Sequence, residues 1–487
     1  MPVMCSPPSK WLIYVRFQRL LAKRGGWVMA KTMNAMFDIE QVTMNTPMDV
    51  LIKRGRDNAI QTDPAKLAQM IPVARDPWKR IQKVENKLIK GLIPMRHEKM
   101  GADIFSFYRG TAELMAGDLK QQVNTNIPVV ACGDAHLGNF GFYASPERQL
   151  IFDLNDFDEA HIGHWENDLR RLLVSVKLAG SLNDFAGEQL DHLVKKAVKS
   201  YCKGIDYAMS LSTLDRFNFS SEIGNLAENL MGFHDSDDMI EAITKQATKR
   251  TSSQVIKKYT TTDTTDELHF VEDAPQTVHI DEKTYAQLVA GYEEYRRTVA
   301  DDVALLLTQY HLTDIARHSV GVGSFGTRCY LLLLTANDGS HLVLQIKEAL
   351  PVRDAFIPEA ADLELHRELS EGQRIIAAQK ILQTASDAFI GYFNAGKRSY
   401  YVRQFRDMKA SVKLNELSWK WYKKYVKTTS FLLAVAHSQS PTAPMIKGYL
   451  DNCDGLPEAL ANWTMQYDEQ VKTDYQRFLS QVADASL

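Results

Sequence analysis

Two short apolar runs, Asn126–Ala131 and Gln149–Leu154, each break off into a polar loop, and the two loops carry complementary chemistry. The first reads Cys132-Gly133-Asp134-Ala135-His136-Leu137-Gly138-Asn139, the second Asn155-Asp156-Phe157-Asp158-Glu159. Short β-prone runs bounded by Gly, Asn and Asp read as strands, so the local order is strand, loop, strand, acidic cluster. Phosphoryl transfer needs an Asp to accept the proton of an attacking hydroxyl, and an Asn and a further Asp to hold Mg²⁺ against nucleotide phosphates. Asp134 stands five residues before Asn139, and Asp156 follows 17 residues after it. Asp153, Asp156, Asp158 and Glu159 place four carboxylates within seven residues. So dense a cluster repels itself unless cations offset it, which makes Mg²⁺ the expected occupant, against the plainer reading of a solvated surface. Asp134 is the candidate base, His136 its hydrogen-bond partner, and Asn139, Asp156, Asp153 and Asp158 are the metal candidates.

A second motif lies far downstream. Gly321-Val322-Gly323-Ser324-Phe325-Gly326 matches GxGxxG, which alone often marks only a turn. Here it precedes an apolar strand (Cys329–Leu334), a turn (Asn337–Ser340) and a strand ending in Lys347. Protein kinases cover phosphates with such a hairpin and pair such a lysine with them. A dinucleotide-binding reading fits worse, because these glycines lead into a strand and not a helix. An unpaired ammonium at the end of an apolar strand would be costly, so Lys347 needs a carboxylate. Glu371 is the preferred partner, with Glu368 in reserve and Glu364 on the same stretch; a solvated acidic helix face is the alternative. Arg403 and Gln404 open the segment expected to join two lobes beside an adenine. Arg109, in Tyr108-Arg109-Gly110, is either a phosphate or substrate ligand or a buried structural arginine.

Kinases place the glycine loop first. Here Asp156 precedes Lys347 by 191 residues. One site built from both halves requires a circularly permuted chain, which is tolerable where the original termini lie close together. The expected fold is therefore α+β: a protein-kinase-like two-lobe arrangement, permuted, with additional helices. Residues 1–60 are expected to be a poorly ordered extension and 61–250 a helical lobe bearing the first two loops. A Thr-rich linker or mobile segment would span 251–283, a β-rich nucleotide lobe 284–410, and a helical region packing on the first lobe 411–487.

Composition narrows the setting. The 487 residues include 57 Lys+Arg against 60 Asp+Glu, a formal net charge of −3, with no global attraction to nucleic acid or anionic membrane. The five cysteines show no CxxC or His-paired spacing, so disulfides and zinc are not expected and a cytoplasmic location is. No apolar run reaches the length of a membrane span. Near the N-terminus, Lys10, Arg16, Arg19, Lys23 and Arg24 surround Trp11–Val15, compatible with a basic surface helix or with an extension preceding a start at Met29, Met33 or Met36.

From about residue 60 to 480 the chain resembles the bacterial family known as domain of unknown function 2252. The resemblance rests on Phe105–Gly110, Cys132–Asn139, Phe152–Ala160, Gly321–Arg328, Gln345–Ala349, Glu371–Arg374 and Tyr401–Gln404. It departs from that family's His-Ala-Arg-Ser-Gly run, showing His437-Ser438-Gln439-Ser440-Pro441. More distantly, Gly133-Asp134-x-His136-x-x-Asn139, Asp156-Phe157-Asp158 and Asp168-Leu169 are similar to the motif of aminoglycoside and choline phosphotransferases. There the metal Asp lies about a dozen residues before an Asp-Leu pair, whose Asp braces the catalytic loop. Asp156 stands 12 residues before Asp168, which favours it over Asp153; Asp153, 19 residues after Asp134, keeps the shorter interval to the base.

The implied activity is ATP- and Mg²⁺-dependent phosphoryl transfer to a small-molecule hydroxyl, with adenylyl transfer open to the same parts. A dinuclear metallophosphoesterase would need an upstream Asp-x-His and later paired histidines, and leaves Lys347 unexplained. The rival outside catalysis is a nucleotide-binding or inactive kinase-like module acting through protein partners.

Overall fold

The computed structural model describes residues 45–219, 221, 245, 252–262, 267–323, 325–352, 370–405 and 409–485. Ser324, Glu364, Glu368, the whole basic N-terminal stretch and the candidate starts Met29, Met33 and Met36 lie outside the described residues.

The chain begins with helices α1 (Met48–Gln61), α2 (Pro64–Leu67), α3 (Pro77–Glu85), α4 (Ile93–Gly101), α5 (Ile104–Gly110) and α6 (Ala112–Leu119). Strands β1 (Pro128–Ala131), β2 (Phe140–Ala144), β3 (Leu150–Leu154) and β4 (His161–His164) follow, pairing antiparallel as β1–β4 and β2–β3. Next come α7 (Trp165–Ser181), α8 (Gly187–Ser210) and α9 (Thr213–Phe217). Along α8, Leu190, Leu193, Val194, Ala197, Val198, Tyr201 and Ile205 recur at helical spacing and are all buried. They pack on α14 (Trp419–Ser438), which with α15 (Ala443–Asp451) and α16 (Leu456–Ala485) closes the larger core.

Between these helical blocks, α10 (Ser252–Tyr259), β5 (Thr260–Thr262) and β6 (Leu268–Phe270) lead to a six-stranded antiparallel sheet. Its strands are β7 (Thr277–His279), β8 (Tyr310–His318), β9 (Cys329–Ala336), β10 (His341–Ala349), β11 (Gly391–Ala395) and β12 (Arg398–Gln404), in the order β11-β12-β10-β9-β8-β7. Helices α11 (Glu282–Tyr295) and α12 (Asp301–Leu307) precede β8, and α13 (Glu371–Leu382) precedes β11. Period-two alternation splits β9 between two cores. Leu332 and Leu334 meet Leu288, Tyr292 and Tyr295 of α11, whereas Leu331 and Leu333 meet Val255 and Phe270. With both faces covered, the strand reads as a nearly unbroken buried run.

The α+β class is as expected, but two boundaries move. The described residues of 251–283 form a covering layer and not a linker: Val255 and Phe270 seal one sheet face, and β7 extends the sheet itself. Threonine-rich composition resembled a loop, but threonine also favours strands. The N-terminal extension ends earlier than residue 60. Helix α1 packs so closely on α15 that a Cβ on Gly55 would stand 1.9 Å from the Met445 carbonyl oxygen.

Candidate functional site

The loop after β1 turns at Gly133 (φ +82°), where any side chain would collide with the Glu159 carbonyl, 2.2 Å from the Cβ position. What holds this loop is Asp168, in the first turn of α7. Its carboxylate accepts from the Cys132 and Gly133 amides at 2.7 and 2.9 Å, and so braces the loop and does not cap its own helix. His437 Nε2 lies 3.2 Å from the same carboxylate, and its Nδ1 meets the Tyr201 hydroxyl at 2.7 Å. The first residue of the stretch that departs from the family pattern is thus built into the support of the Asp134 loop.

Asp134 accepts from Arg171 Nε at 2.8 Å, and the Arg171 guanidinium lies 3.6 Å from the Tyr108 ring centroid. His136 was expected to hold Asp134, but its ring stands 3.7 Å away, beyond hydrogen-bond reach. Burial keeps that imidazole neutral down to about 3, against the pull of Asp134. Arg171 does the orienting instead. Its signal was faint: an arginine three residues beyond Asp168, directly after Arg170 on a helix that also carries Glu166 and Lys177.

Asn139 pins the two acidic loops to each other. Its amide donates to the Asp134 carbonyl at 3.1 Å and the Asp156 carbonyl at 2.9 Å, and its Oδ1 receives the Asn155 amide at 3.3 Å. The expected metal ligand is in this structure a backbone clamp. Asp153 does not fit a metal at all. It is 1% exposed, and its oxygens accept from the Leu154 and Thr384 amides and the Ser221 hydroxyl. Asp153 lies in a strand buried on both faces, and burial lifts its carboxyl to about 6.

Asp156 and Asp158 face Lys347. Lys347 Nζ donates to Asp158 Oδ2 at 2.9 Å across a sequence separation of 189 residues, and lies 3.6 Å from Asp156 Oδ1. The Tyr401 hydroxyl donates to the other Asp158 oxygen at 2.8 Å. Burial alone would discharge Lys347, but the two carboxylates outweigh it and hold the ammonium well above its usual range. Burial likewise opposes the Asp158 carboxylate, and Lys347 and Tyr401 overcome it and hold its carboxyl low. Asp156 opens onto the cleft with 49% of its side chain exposed, yet it is walled by protein and faces Asp158, and both raise its carboxyl.

Glu371 is not the partner of Lys347. It pairs with Arg374 on its own helix at 2.7 Å, and Arg374 reaches on to the carbonyls of Ala160, Asp158 and Leu350. The α13 helix therefore supports the acidic loop through an arginine and not the lysine through a glutamate.

The glycine run is anchored from the helical side. Buried Arg96 of α4 donates to the carbonyls of Val322, Gly323 and Phe325 at 2.9, 2.7 and 3.3 Å, and to that of Gly110 at 2.7 Å. The Ile89 amide donates to the Gly326 carbonyl at 2.8 Å. A cleft of about 510 Å³ separates these parts, and Arg109, Asn139, Asp156, Gly321, Lys347, Arg403 and Gln404 are among its lining residues. Arg403 donates to Gln345 at 3.0 Å, and the amides of Gln404 and Phe405 are taken by Asp387 and the Val343 carbonyl. Asp134 stands behind the lining, with 22% of its side chain exposed.

The architecture and site define an α+β protein with an interior cleft where a buried lysine meets two carboxylates from a distant loop. No helix among the described residues is long and apolar enough to cross a membrane. Residues 88–481, most of the chain, match one family, described as "Uncharacterized protein conserved in bacteria (DUF2252)", and the chain belongs to it. No curated protein and no solved structure matches the chain.

Proposed function

We propose that the cleft binds Mg²⁺-ATP and passes its γ-phosphoryl group to a hydroxyl of a small molecule. The observation that carries this reading is the meeting of Lys347 with Asp156 and Asp158, two motifs read separately in the sequence. The charge of the lining supports it too: Arg109, Arg148, Lys347, Arg403 and Lys409 against Asp156 and Asp387 favour an anionic ligand.

Mg²⁺ fits the donor set in one way only. No cluster of three or more His, Cys, Asp or Glu side chains suited to a metal exists among the described residues, so a cage made of protein alone is not available. Mg²⁺ binds instead through one or two carboxylates plus substrate phosphates, and Asp156, raised by burial and by its neighbour Asp158, gains from a cation beside it. Bound there, Mg²⁺ would neutralise charge on the phosphate oxygens. The protein's own groups do the rest. Lys347 holds phosphate oxygens, the glycine run covers them, and Asp134, oriented by Arg171, takes the acceptor's proton. On this reading the fold is a permuted kinase-like pair of lobes, with the sheet as the nucleotide lobe following the catalytic one.

A binding module without turnover draws on one contact: the Arg171 ion pair already occupies one oxygen of Asp134 at 2.8 Å. Calorimetry with Mg²⁺-ATP on wild type, Lys347→Ala and Asp156→Asn tests the common core of both readings. Micromolar binding weakened in both variants supports one nucleotide site. Absence of binding by folded wild type overturns it. Turnover lost in Asp134→Asn with binding retained then separates enzyme from module.

A further inference from the structure

Among the described residues lining the cleft, Arg109 is the one cation whose buried nitrogen has nothing to hold. Its Nε is sealed from solvent and has no hydrogen-bond partner, and the guanidinium carbon stands 5.9 Å from the Phe105 ring centroid. Leaving a buried donor unsatisfied costs about 1–3 kcal/mol, more for a charged group, so such a group needs an explanation. Its position supplies one. Nε would be 3.3 Å from a Cβ on Gly138, in the Asp134 loop, and the Arg109 carbonyl 3.2 Å from a Cβ on Gly323, in the glycine run. Glycine at both places lets the two loops close on either side of this residue. The backbone beneath it is fixed, because Arg96 holds the Gly110 carbonyl together with those of the glycine run. The charges that act most on Arg109 include Asp134 and Asp156, the candidate base and the candidate metal ligand. Arg109 thus stands where the donor and acceptor sides of the cleft meet.

We propose that Arg109 is a catalytic residue that binds the γ-phosphoryl group in flight, an arginine supplied in cis to neutralise charge that develops on its equatorial oxygens. The inference rests on the phosphotransferase reading. In the step, the bond from the γ-phosphorus to the β–γ bridging oxygen breaks and its electron pair stays on ADP. A new bond forms from the acceptor oxygen to phosphorus, and the acceptor's proton goes to Asp134. Charge on the three equatorial oxygens peaks between the two events. A planar guanidinium matches that geometry in a way an ammonium does not. Arginines in this role contribute about 10³–10⁵-fold in turnover.

The test needs no knowledge of the acceptor. Mg²⁺-ADP is titrated into the full chain with and without aluminium fluoride, which forms a planar mimic of the transferring group. Wild type is expected to bind Mg²⁺-ADP and to bind it at least about 100-fold tighter with the fluoride, as transition-state analogues do. Arg109→Ala should keep its affinity for Mg²⁺-ADP within about 3-fold while losing the fluoride-dependent gain, and Arg109→Lys should recover only part of that gain. Retained Mg²⁺-ADP affinity in Arg109→Ala also certifies the fold of the variant. A full gain in Arg109→Ala overturns the inference and leaves the phosphotransferase reading standing. So does an equal weakening of both complexes, which is the signature of a ground-state or structural role. Wild type that binds Mg²⁺-ADP without any gain overturns the inference as well. Wild type that binds no Mg²⁺-ADP removes the phosphotransferase reading and this one with it.

Discussion

The Asp134 loop and the glycine run face each other across one cleft, yet they are fixed by opposite means. The first is held through its amides, which donate to the buried carboxylate of Asp168; the second through its carbonyls, which accept from the buried guanidinium of Arg96. A trans peptide points its carbonyl and its N–H in opposite directions. The Arg96 contacts therefore turn the N–H groups of Gly323 and Gly326 to the side away from Arg96. The Asp134 loop has a network behind it, comprising Asp168, His437, Tyr201, Asn139 and Arg171. The glycine run depends on Arg96 and one backbone bond to Ile89. One side is rigid through redundancy and the other through a single cation.

The sharpest way to break this contrast is Asp168→Ala. It strands two buried amides and removes the partner of His437, so a loss of about 3–5 kcal/mol in urea unfolding is expected. A loss under about 1 kcal/mol would mean the loop is held some other way.

Next come two buried groups on the same side with opposite pH slopes. His136 protonates near 6.5 when unfolded but only near 3 when folded, so the unfolded chain takes its proton first and stability falls as pH drops from about 6.5 toward about 3. Asp153 has a carboxyl at about 6 folded against 3.8 unfolded, so its contribution is full below about 3.8 and is lost as pH rises through about 6. Between pH 7 and 4.5, His136→Gln should tilt the stability profile toward acid and Asp153→Asn away from it, each on the order of 2 kcal/mol relative to wild type. Profiles parallel to wild type in unfolding titrations would contradict both assignments.

Arg96→Lys probes the other side. An ammonium cannot span four carbonyls, and Mg²⁺-ATP affinity should drop about 10-fold, or about 1.4 kcal/mol, with a smaller change in melting temperature. Unchanged affinity would show that the glycine run does not depend on this cation. The smallest effect belongs to Glu371→Gln. Its pair with Arg374 is local and its side chain is 24% exposed, so a loss below about 1 kcal/mol and nucleotide affinity within about 2-fold of wild type are expected. A collapse of binding would return Glu371 to Lys347.

Much of the site could be read from the sequence because its chemistry is clustered: the Asp134–Asn139 loop, the acidic run and a lysine ending an apolar strand each carry a local pattern. What stayed hidden was pairing. Glu371 was the preferred partner of Lys347 on paper, and Asp158 was read only as a metal candidate. An arginine three residues from Glu371 takes it, and no spacing rule foretells that choice. Asp153 and Asp156 differ in whether the chain is still in a strand, which decides that one faces the protein and the other the cleft. A helical C-terminal region was expected from the sequence, while the layer formed by the described residues of 251–283 was not, since its buried anchors are as sparse as Val255 and Phe270.

The brace behind the Asp134 loop has a consequence for how the protein is made. Asp168 meets His437 across 269 residues, the Val130 amide donates to Ser440 across 310, and β2 is bridged by Ala410. The loop near residue 134 thus waits for its supports until synthesis has passed residue 440. An early-emerging piece of the chain lacks these contacts, and closing loops of such length adds an entropic cost to assembling the site.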